Sequence, residues 1–271
     1  MAHDPAWSLD ALGLTRDPLG HPLEYPGRPP AESGLLADDH FVPLQEEYGI
    51  PPGRRRLGAP GGEPLDDALR RMRRPVIAER HPVIAVGSNG SPAQLHRKLA
   101  GRTGVLVPMT YVAVGGLVPG VSAHVSRPGY VPATPVLLPG ATGRLVLLWL
   151  DDAQLAAVDA TEPNYHRTTL PAEVTVSLDG AGPLTGCRVY AGRHGCLTDR
   201  SGRPFRLTGQ AALLSLLLAD LPELGRLTGA RGPEEFVARL RGDEGLRGQV
   251  HGLWRREGRV AEQRGLGRAP V

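Results

Sequence analysis

Glycine and proline interrupt this chain at short intervals and limit how far any helix or strand can run. The 271 residues include 36 glycines and 27 prolines, together about twice the average share. They follow no Gly-X-Y period, which excludes a collagen-like triple helix. Because both residues concentrate in turns and loops, we predict many short elements joined by tight connections.

The rest of the composition is that of a globular chain without a membrane partner. Apolar residues make up 41% of the chain and charged residues 22%, which is enough to bury a core. No apolar run approaches the ~18 residues of a membrane span, and the N-terminus lacks a signal-peptide pattern. Two cysteines, Cys187 and Cys196, do not make a disulfide framework. We therefore expect a cytoplasmic protein.

The basic residues do not indicate a nucleic-acid partner. Of the 31 lysine and arginine residues, Lys98 is the only lysine, and it lies in no P-loop motif. The arginines are mixed with acidic residues, and aromatic residues form only 4% of the chain, so platforms for base stacking are scarce. Cys187, His194 and Cys196 lack the close pair spacing of a metal site, and we expect no metal.

Three segments of different character follow one another along the chain. Residues 1–80 form a proline-rich, irregular N-terminal extension with short helices, which we predict at 38–48 and near 65–72. Residues 81–195 alternate predicted strands with helices. Residues 196–271 form a helical C-terminal extension. This order predicts an α+β fold.

Two helices of the central segment are predicted to begin with a capping box, in which the first side chain and the one three residues later cap each other. Ser91 and Gln94 form one such pair, and Asp151 and Gln154 form the other.

The turn before the first of these helices is a candidate binding site. A predicted strand, Pro82 to Val86, ends in Gly87-Ser88-Asn89, and a helix follows. Backbone N–H groups at such a helix start can hold a carboxylate or a developing oxyanion. An ordinary capped turn explains this segment equally well.

Glu162 is the second candidate. It follows the helix that begins at Asp151, and Pro163 ends that helix. A carboxylate in a cavity at this position would suit a general base. A solvent-facing loop glutamate is the alternative on this segment alone.

Taken in order, these segments resemble the γ-glutamylcyclotransferase-like family over roughly residues 82–195. Val86-Gly87-Ser88-Asn89 resembles the family's Tyr-Gly-Ser-Asn loop, and the stretch ending at Glu162 resembles its helix with a Leu/Val-Asp-x-x-Glu ending. Further similar segments are Tyr130 to Thr134, the Pro139-Gly140 turn, the strand Leu145 to Leu150, Tyr165, and the strand Cys187 to Tyr190.

The resemblance implies a mixed β-barrel with flanking helices around a cavity, and an enzyme that releases 5-oxoproline from a γ-glutamyl amine or peptide. Gly87, Ser88, Asn89 and Tyr165 would bind this small-molecule substrate, and Glu162 would transfer the proton. The chemistry requires no metal or organic cofactor. The amine that leaves and the oligomeric state stay open.

Three features depart from the family pattern. Val86 stands where the family has tyrosine, Pro163 follows the glutamate where glycine is common, and the strand Leu145 to Leu150 lacks a glycine often found there. Val86 and the two extensions, which have no counterpart in the family, motivate an alternative, in which the chain is a non-catalytic module on the same fold that binds a small molecule or a protein.

Overall fold

The computed structural model describes residues 4–263 and 265–267. Within these ranges no helix has the length and apolar character needed to cross a membrane. Seven α-helices lie in the described residues: α1 Leu65–Arg71, α2 Pro92–Leu99, α3 Asp152–Ala160, α4 Gln210–Asp220, α5 Pro222–Thr228, α6 Pro233–Leu240 and α7 Glu244–Arg256.

The same residues form eleven β-strands, nine of them in one mixed sheet, so the predicted α+β class is confirmed. The path of the sheet is β2-β1-β4-β5-β3-β9-β6, with β7 on β4 and β8 on β7, while β10 and β11 form a separate pair. The strands are β1 Gly34–Ala37, β2 His40–Pro43, β3 His81–Ala85, β4 Leu106–Val121, β5 Ala133–Leu150, β6 Tyr165–Thr169, β7 Thr175–Leu178, β8 Gly182–Pro183, β9 Arg188–Gly192, β10 Cys196–Leu197 and β11 Val260–Ala261.

The sheet is not closed into a barrel, and the predicted mixed β-barrel is wrong on this point. Closure would require the two ends of the sheet to pair with each other. Among the described strands, β2 pairs only with β1, and β6 pairs only with β9. The hairpin β1–β2 adds to β4 instead, through pairs such as Leu36 with Val107, and extends the sheet at that edge.

The hairpin also replaces a predicted helix. We predict a helix at 38–48, but residues 40–43 form β2, whose Phe41 and Val42 are buried. The aromatic and β-branched side chains favour a strand, and a tight turn at Asp38 joins it to β1. The predicted helix near 65–72 is confirmed as α1. The division of the chain into three segments stays a prediction.

Strands β4 and β5 are longer than the short strands that we predict from the frequent glycines and prolines. We predict several separate strands here, but β4 and β5 pair from Met109–Leu148 to Val121–Ala133 with one shift of register between Gly115 and Leu117. Gly116 at the shift has φ +83°, a backbone conformation that favours glycine. The interruption is therefore absorbed as a bulge, and the strands continue past it.

The main sheet separates two buried clusters, because neighbouring side chains of a strand point to opposite faces. Ile84 and Leu147 face one cluster, which α1 covers. Val83 and Leu148 face the other, which α2 and α3 cover. The turns that follow β3 and α3 therefore come together above the same face.

The two predicted capping boxes have different outcomes. In α3 the box is confirmed, since the Gln154 N–H donates to Asp151 Oδ1 at 2.9 Å and the Asp151 N–H donates to Gln154 Oε1 at 3.2 Å. In α2 it is wrong. The Ser91 hydroxyl is buried with no hydrogen-bond partner among the described residues, and Gly27 lies so near that a Cβ added there would be 3.0 Å from the Ser91 oxygen. Gln94 Oε1 instead accepts a hydrogen bond from Arg97.

Side chains of the C-terminal helices form hydrogen bonds with the backbone of the segment between β4 and β5. In α4, the buried amide of Gln210 accepts from the Val131 N–H at 2.7 Å and donates to the Val131 carbonyl at 3.0 Å. In α7, His251 Nε2 accepts from the Val125 N–H at 2.8 Å. The predicted helical tail is thus tied to the segment that joins β4 to β5.

We expect Gln210→Ala to lower the free energy of unfolding by about 2–4 kcal/mol, because it strands two buried backbone groups at about 1–3 kcal/mol each. Urea unfolding followed by circular dichroism measures this change. Gln249, an exposed glutamine of α7, provides the control, and Gln249→Ala should change stability by no more than about 0.5 kcal/mol. Equal effects of the two variants would contradict the docking role of Gln210.

We expect the protein to lose stability as the pH falls below about 6.5, the ordinary histidine value. Burial, together with the smaller effects of His194, Arg255 and Arg247, lowers the pKa of His251 to about 4. Since the unfolded chain then binds more protons than the folded one, stability is full above that pH. It falls toward pH 5 by about 1 kcal/mol, allowing for the partly exposed ring.

Urea titrations at a series of pH values measure this slope. In His251→Gln the side chain at 251 no longer titrates, so the loss between pH 7 and pH 5 should be smaller than in the wild type. An unchanged slope in the variant would contradict the assignment to His251.

Candidate functional site

A cavity of about 240 Å³ lies where the turn after β3, the helix α2 and the turn after α3 meet. All five residues predicted to form the site line it: Gly87, Ser88, Asn89, Glu162 and Tyr165. Residues far apart in sequence are brought together here, because β3 lies next to β5 in the sheet and α3 directly follows β5.

Glu162 is held in a turn just beyond α3. Its side chain is 14% exposed, and its backbone carbonyl accepts from the Tyr165 N–H at 3.0 Å. Its Oε1 atom accepts two hydrogen bonds, from Asn89 Nδ2 at 2.9 Å and from Lys98 Nζ at 2.6 Å. The carboxylate is thus joined directly to the Gly87-Ser88-Asn89 turn.

Lys98 is a residue of the cavity that the sequence analysis did not assign to the site. It lies on α2 with its side chain 4% exposed, and its Nζ atom also donates to Asn89 Oδ1 at 2.8 Å. A sequence signal was present, since Lys98 comes three residues after the buried Leu95 and therefore shares its helix face. A lone lysine on a buried helix face indicates a paired charge.

The turn itself offers backbone donors to the cavity. Residues 88–90 form one turn of 3-10 helix, in which the Gly90 N–H donates to the Gly87 carbonyl at 3.0 Å. The first N–H groups of such a turn, those of Ser88 and Asn89, have no acceptor within it, and the Ser88 N–H is directed at the Tyr25 hydroxyl. The Asn89 N–H and the Glu162 carboxylate can hold a substrate and move a proton within one small cavity.

Tyr25, from the N-terminal segment, forms one wall of the cavity. No local feature of the sequence predicts this position. Its hydroxyl accepts from the Ala133 N–H at 2.7 Å, and its ring stacks on Tyr130 with centroids 4.4 Å apart. A Cβ atom at Gly87 would lie 2.5 Å from the Tyr25 oxygen and 2.9 Å from Ala133 Cβ. Glycine at this position therefore allows the tyrosine to reach the turn.

The tyrosines around the cavity remain neutral near pH 7. Burial raises the pKa of Tyr25 and of Tyr165, and the charge of Glu162 adds to both shifts. Burial and Glu162 also raise the pKa of Tyr130 to about 12. The Tyr165 hydroxyl donates to the Ala133 carbonyl at 2.8 Å. These groups can shape the cavity and form hydrogen bonds, but they are poor proton acceptors.

The residues that could suggest metal or thiol chemistry lie elsewhere. In the part of the chain that the structure describes, no group of three or more His, Cys, Asp or Glu side chains could hold a metal ion. Cys187 and Cys196 are buried and not joined in a disulfide. Burial raises the pKa of Cys187 to about 11 and that of Cys196 above its ordinary value, so both remain thiols.

Comparison with known proteins places the predicted family among the structural neighbours. No protein-family model matches the chain, and no curated protein does. The chain is similar to a solved structure described as gamma-glutamyl cyclotransferase, with 13% identity over 64% of this chain and 99% of that one, at a TM-score of 0.37. It is also similar to an uncharacterized protein from Homo sapiens, with 13% identity over 71% and 94% of the two chains, at 0.36.

A third similar structure is a protein of Arabidopsis thaliana, with 19% identity over 41% of this chain and 61% of that one, at a TM-score of 0.32. This chain therefore spans about three fifths of that protein's length. At these identities and TM-scores the likenesses carry no argument about function, which has to rest on the geometry of the cavity.

We expect Gly87→Ala to lower the free energy of unfolding by about 1–3 kcal/mol, because the added methyl group overpacks the contact with Tyr25. Gly90→Ala is the matched control within the same turn, since a Cβ there meets its nearest atom at 3.6 Å, and we expect a change below about 1 kcal/mol. Thermal or urea unfolding measures both variants.

Adding Tyr25→Phe to Gly87→Ala removes the hydroxyl that the methyl group would meet. The double variant should therefore be more stable than the sum of the two single changes predicts. Strict additivity would contradict a direct contact between residues 25 and 87.

Proposed function

We propose that this chain is a γ-glutamylcyclotransferase-like enzyme that releases 5-oxoproline from a γ-glutamyl amine or peptide. The observation that carries the proposal is the hydrogen bond from Asn89 to Glu162, which joins a shielded carboxylate to a turn whose Asn89 N–H has no acceptor within the turn. A cavity with both features suits an intramolecular acyl transfer that needs one proton carrier and a substrate held in a bent conformation.

In the proposed reaction, Glu162 accepts a proton from the α-ammonium group of the substrate. The resulting amine attacks the γ-carbonyl carbon of the same molecule, and a new C–N bond closes the five-membered ring. Protonated Glu162 gives its proton to the outgoing nitrogen, and the bond from that carbon to this nitrogen breaks, with the electron pair leaving on the nitrogen. The ring nitrogen still carries a second proton from the original ammonium group, which the Glu162 carboxylate accepts and passes to the released amine. The products are 5-oxoproline and the protonated amine.

The turn and the aromatic wall provide the positioning in this proposal. The Gly87-Ser88-Asn89 turn binds the γ-glutamyl group, with the Asn89 N–H as a donor, and the ring of Tyr165 limits its movement. Because the nucleophile and the carbonyl belong to one molecule, holding them in the bent conformation supplies a large part of the rate enhancement. No metal or organic cofactor takes part in these steps.

We expect the purified protein to release 5-oxoproline from at least one member of a panel of γ-glutamyl amino acids, γ-glutamyl amines and γ-glutamyl anilides. Glu162→Gln should lower kcat by about 10²–10⁴-fold, the usual contribution of a general base. Chromatographic measurement of 5-oxoproline checks both expectations.

Glu173→Gln serves as the matched control, because Glu173 is exposed and lies outside the cavity, and it should keep wild-type kcat. If the folded wild type releases no 5-oxoproline from any substrate, the proposed reaction is wrong. Binding of a γ-glutamyl compound without turnover would then favour the non-catalytic binding module.

A further inference from the structure

Lys98 forms a closed network with the two residues that carry the proposed function. Its ammonium group donates to Glu162 Oε1 and to Asn89 Oδ1, while Asn89 Nδ2 donates to the same Oε1. The amide oxygen and nitrogen of Asn89 thus have separate partners, which fixes the orientation of its side chain. Each member of the network constrains the other two.

The network uses only one of the two carboxylate oxygens of Glu162. Among the described residues, both hydrogen bonds to this side chain end on Oε1, and none ends on Oε2. The Oε2 atom is therefore left for a group that enters the cavity. In the proposed reaction this group is the α-ammonium of the substrate.

The choice of lysine at this position is specific to it. Arginine accounts for all the other basic side chains among the 31 lysine and arginine residues, yet the basic residue against Glu162 is lysine. An ammonium is a compact group with three donors, whereas a guanidinium is a wide planar fork. The Lys98 side chain is only 4% exposed, and this enclosed position suits the compact ammonium group.

We propose that Lys98 is a positioning residue that holds Glu162 by Oε1 and presents Oε2 to the substrate, an inference that rests on the proposed function. Lys98 keeps its own proton throughout, and the transferred proton moves only between the substrate and Glu162. The fixed charge of Lys98 lies close to the place where the α-ammonium binds. Repulsion between like charges favours loss of the proton from the substrate.

Lys98 supplies the positive charge that is hydrogen-bonded to Glu162. The hydroxyls of Tyr25, Tyr130, Tyr165 and Tyr190 around it are uncharged near pH 7, because burial raises the pKa of each. Burial also lowers the pKa of His124, which lines the same cavity together with Arg127 and with Arg97, the partner of Asp17.

The test compares Lys98→Met with the wild type on the best γ-glutamyl substrate. We expect kcat to fall by about 10–100-fold and KM to change by less than about threefold. Lys98→Arg should restore part of kcat, because it keeps a cation against Glu162. A purely structural role would raise KM or lower the thermal midpoint and would not be confined to kcat.

A double variant separates an effect through Glu162 from a general loss of structure. If Lys98 acts through Glu162, then Lys98→Met should lower kcat by less than about twofold in the Glu162→Gln background. This double variant also avoids leaving one buried charge unpaired. Arg102→Met, which removes an exposed charge just beyond α2, is the matched control and should keep wild-type kinetics.

Three results would overturn the inference about Lys98. One is a Lys98→Met enzyme with wild-type kcat. Another is equal losses from Lys98→Met in the wild-type and Glu162→Gln backgrounds. The third is a crystal structure of Lys98→Met in which Glu162 still lies on Asn89 in the same orientation. A wild type that turns over no substrate overturns the proposed function instead, and the role of Lys98 with it.

Discussion

The paired strands β4 and β5 are the interaction on which the rest of the structure depends. Their backbone hydrogen bonds run from Met109–Leu148 to Val121–Ala133. One ladder therefore extends from the main core to Val121, which is buried in the same cluster as residues of the C-terminal helices. At its inner end β5 leads directly into α3 and Glu162. At its outer end Ala133 binds the hydroxyls of Tyr25 and Tyr165. The two walls of the cavity are therefore fixed relative to each other by a single pair of strands.

Local sequence signals predicted the elements whose causes are local. The apolar run before Gly87, the proline that starts α2 and the Asp151–Gln154 capping box each depend on residues close in sequence, and each element is present. Sheet closure and the pairing of β1 with β4 depend on contacts between distant segments, and the sequence could not order these. The Ser91 box is also absent, and the serine hydroxyl is buried close to Gly27, a neighbour that lies far away in sequence.

The same distinction applies to the site. Gly87-Ser88-Asn89 and Glu162 could be predicted because each stands at a recognisable point, directly after a strand or a helix. Tyr25 could not, since nothing in residues 17–30 shows that its hydroxyl reaches the backbone of β5. Lys98 is an intermediate case. The helix period places it on the buried face beside Leu95, but the partner that makes burial of its charge tolerable lies 64 residues away.

The charges of the cavity explain why Lys98 and Glu162 belong together. A buried ammonium without a partner would be costly, and so would a buried carboxylate; as a pair, Lys98 and Glu162 add no net charge. The surrounding tyrosines, held neutral by burial, add none either. A zwitterionic γ-glutamyl group would therefore meet this neutral pair, in a cavity that is also lined by Arg127 and by Arg97, the partner of Asp17. The fixed pair of Lys98 and Glu162 would lie close to its α-ammonium. The Oε2 atom of Glu162 accepts no hydrogen bond from the described residues and is therefore available to accept the proton.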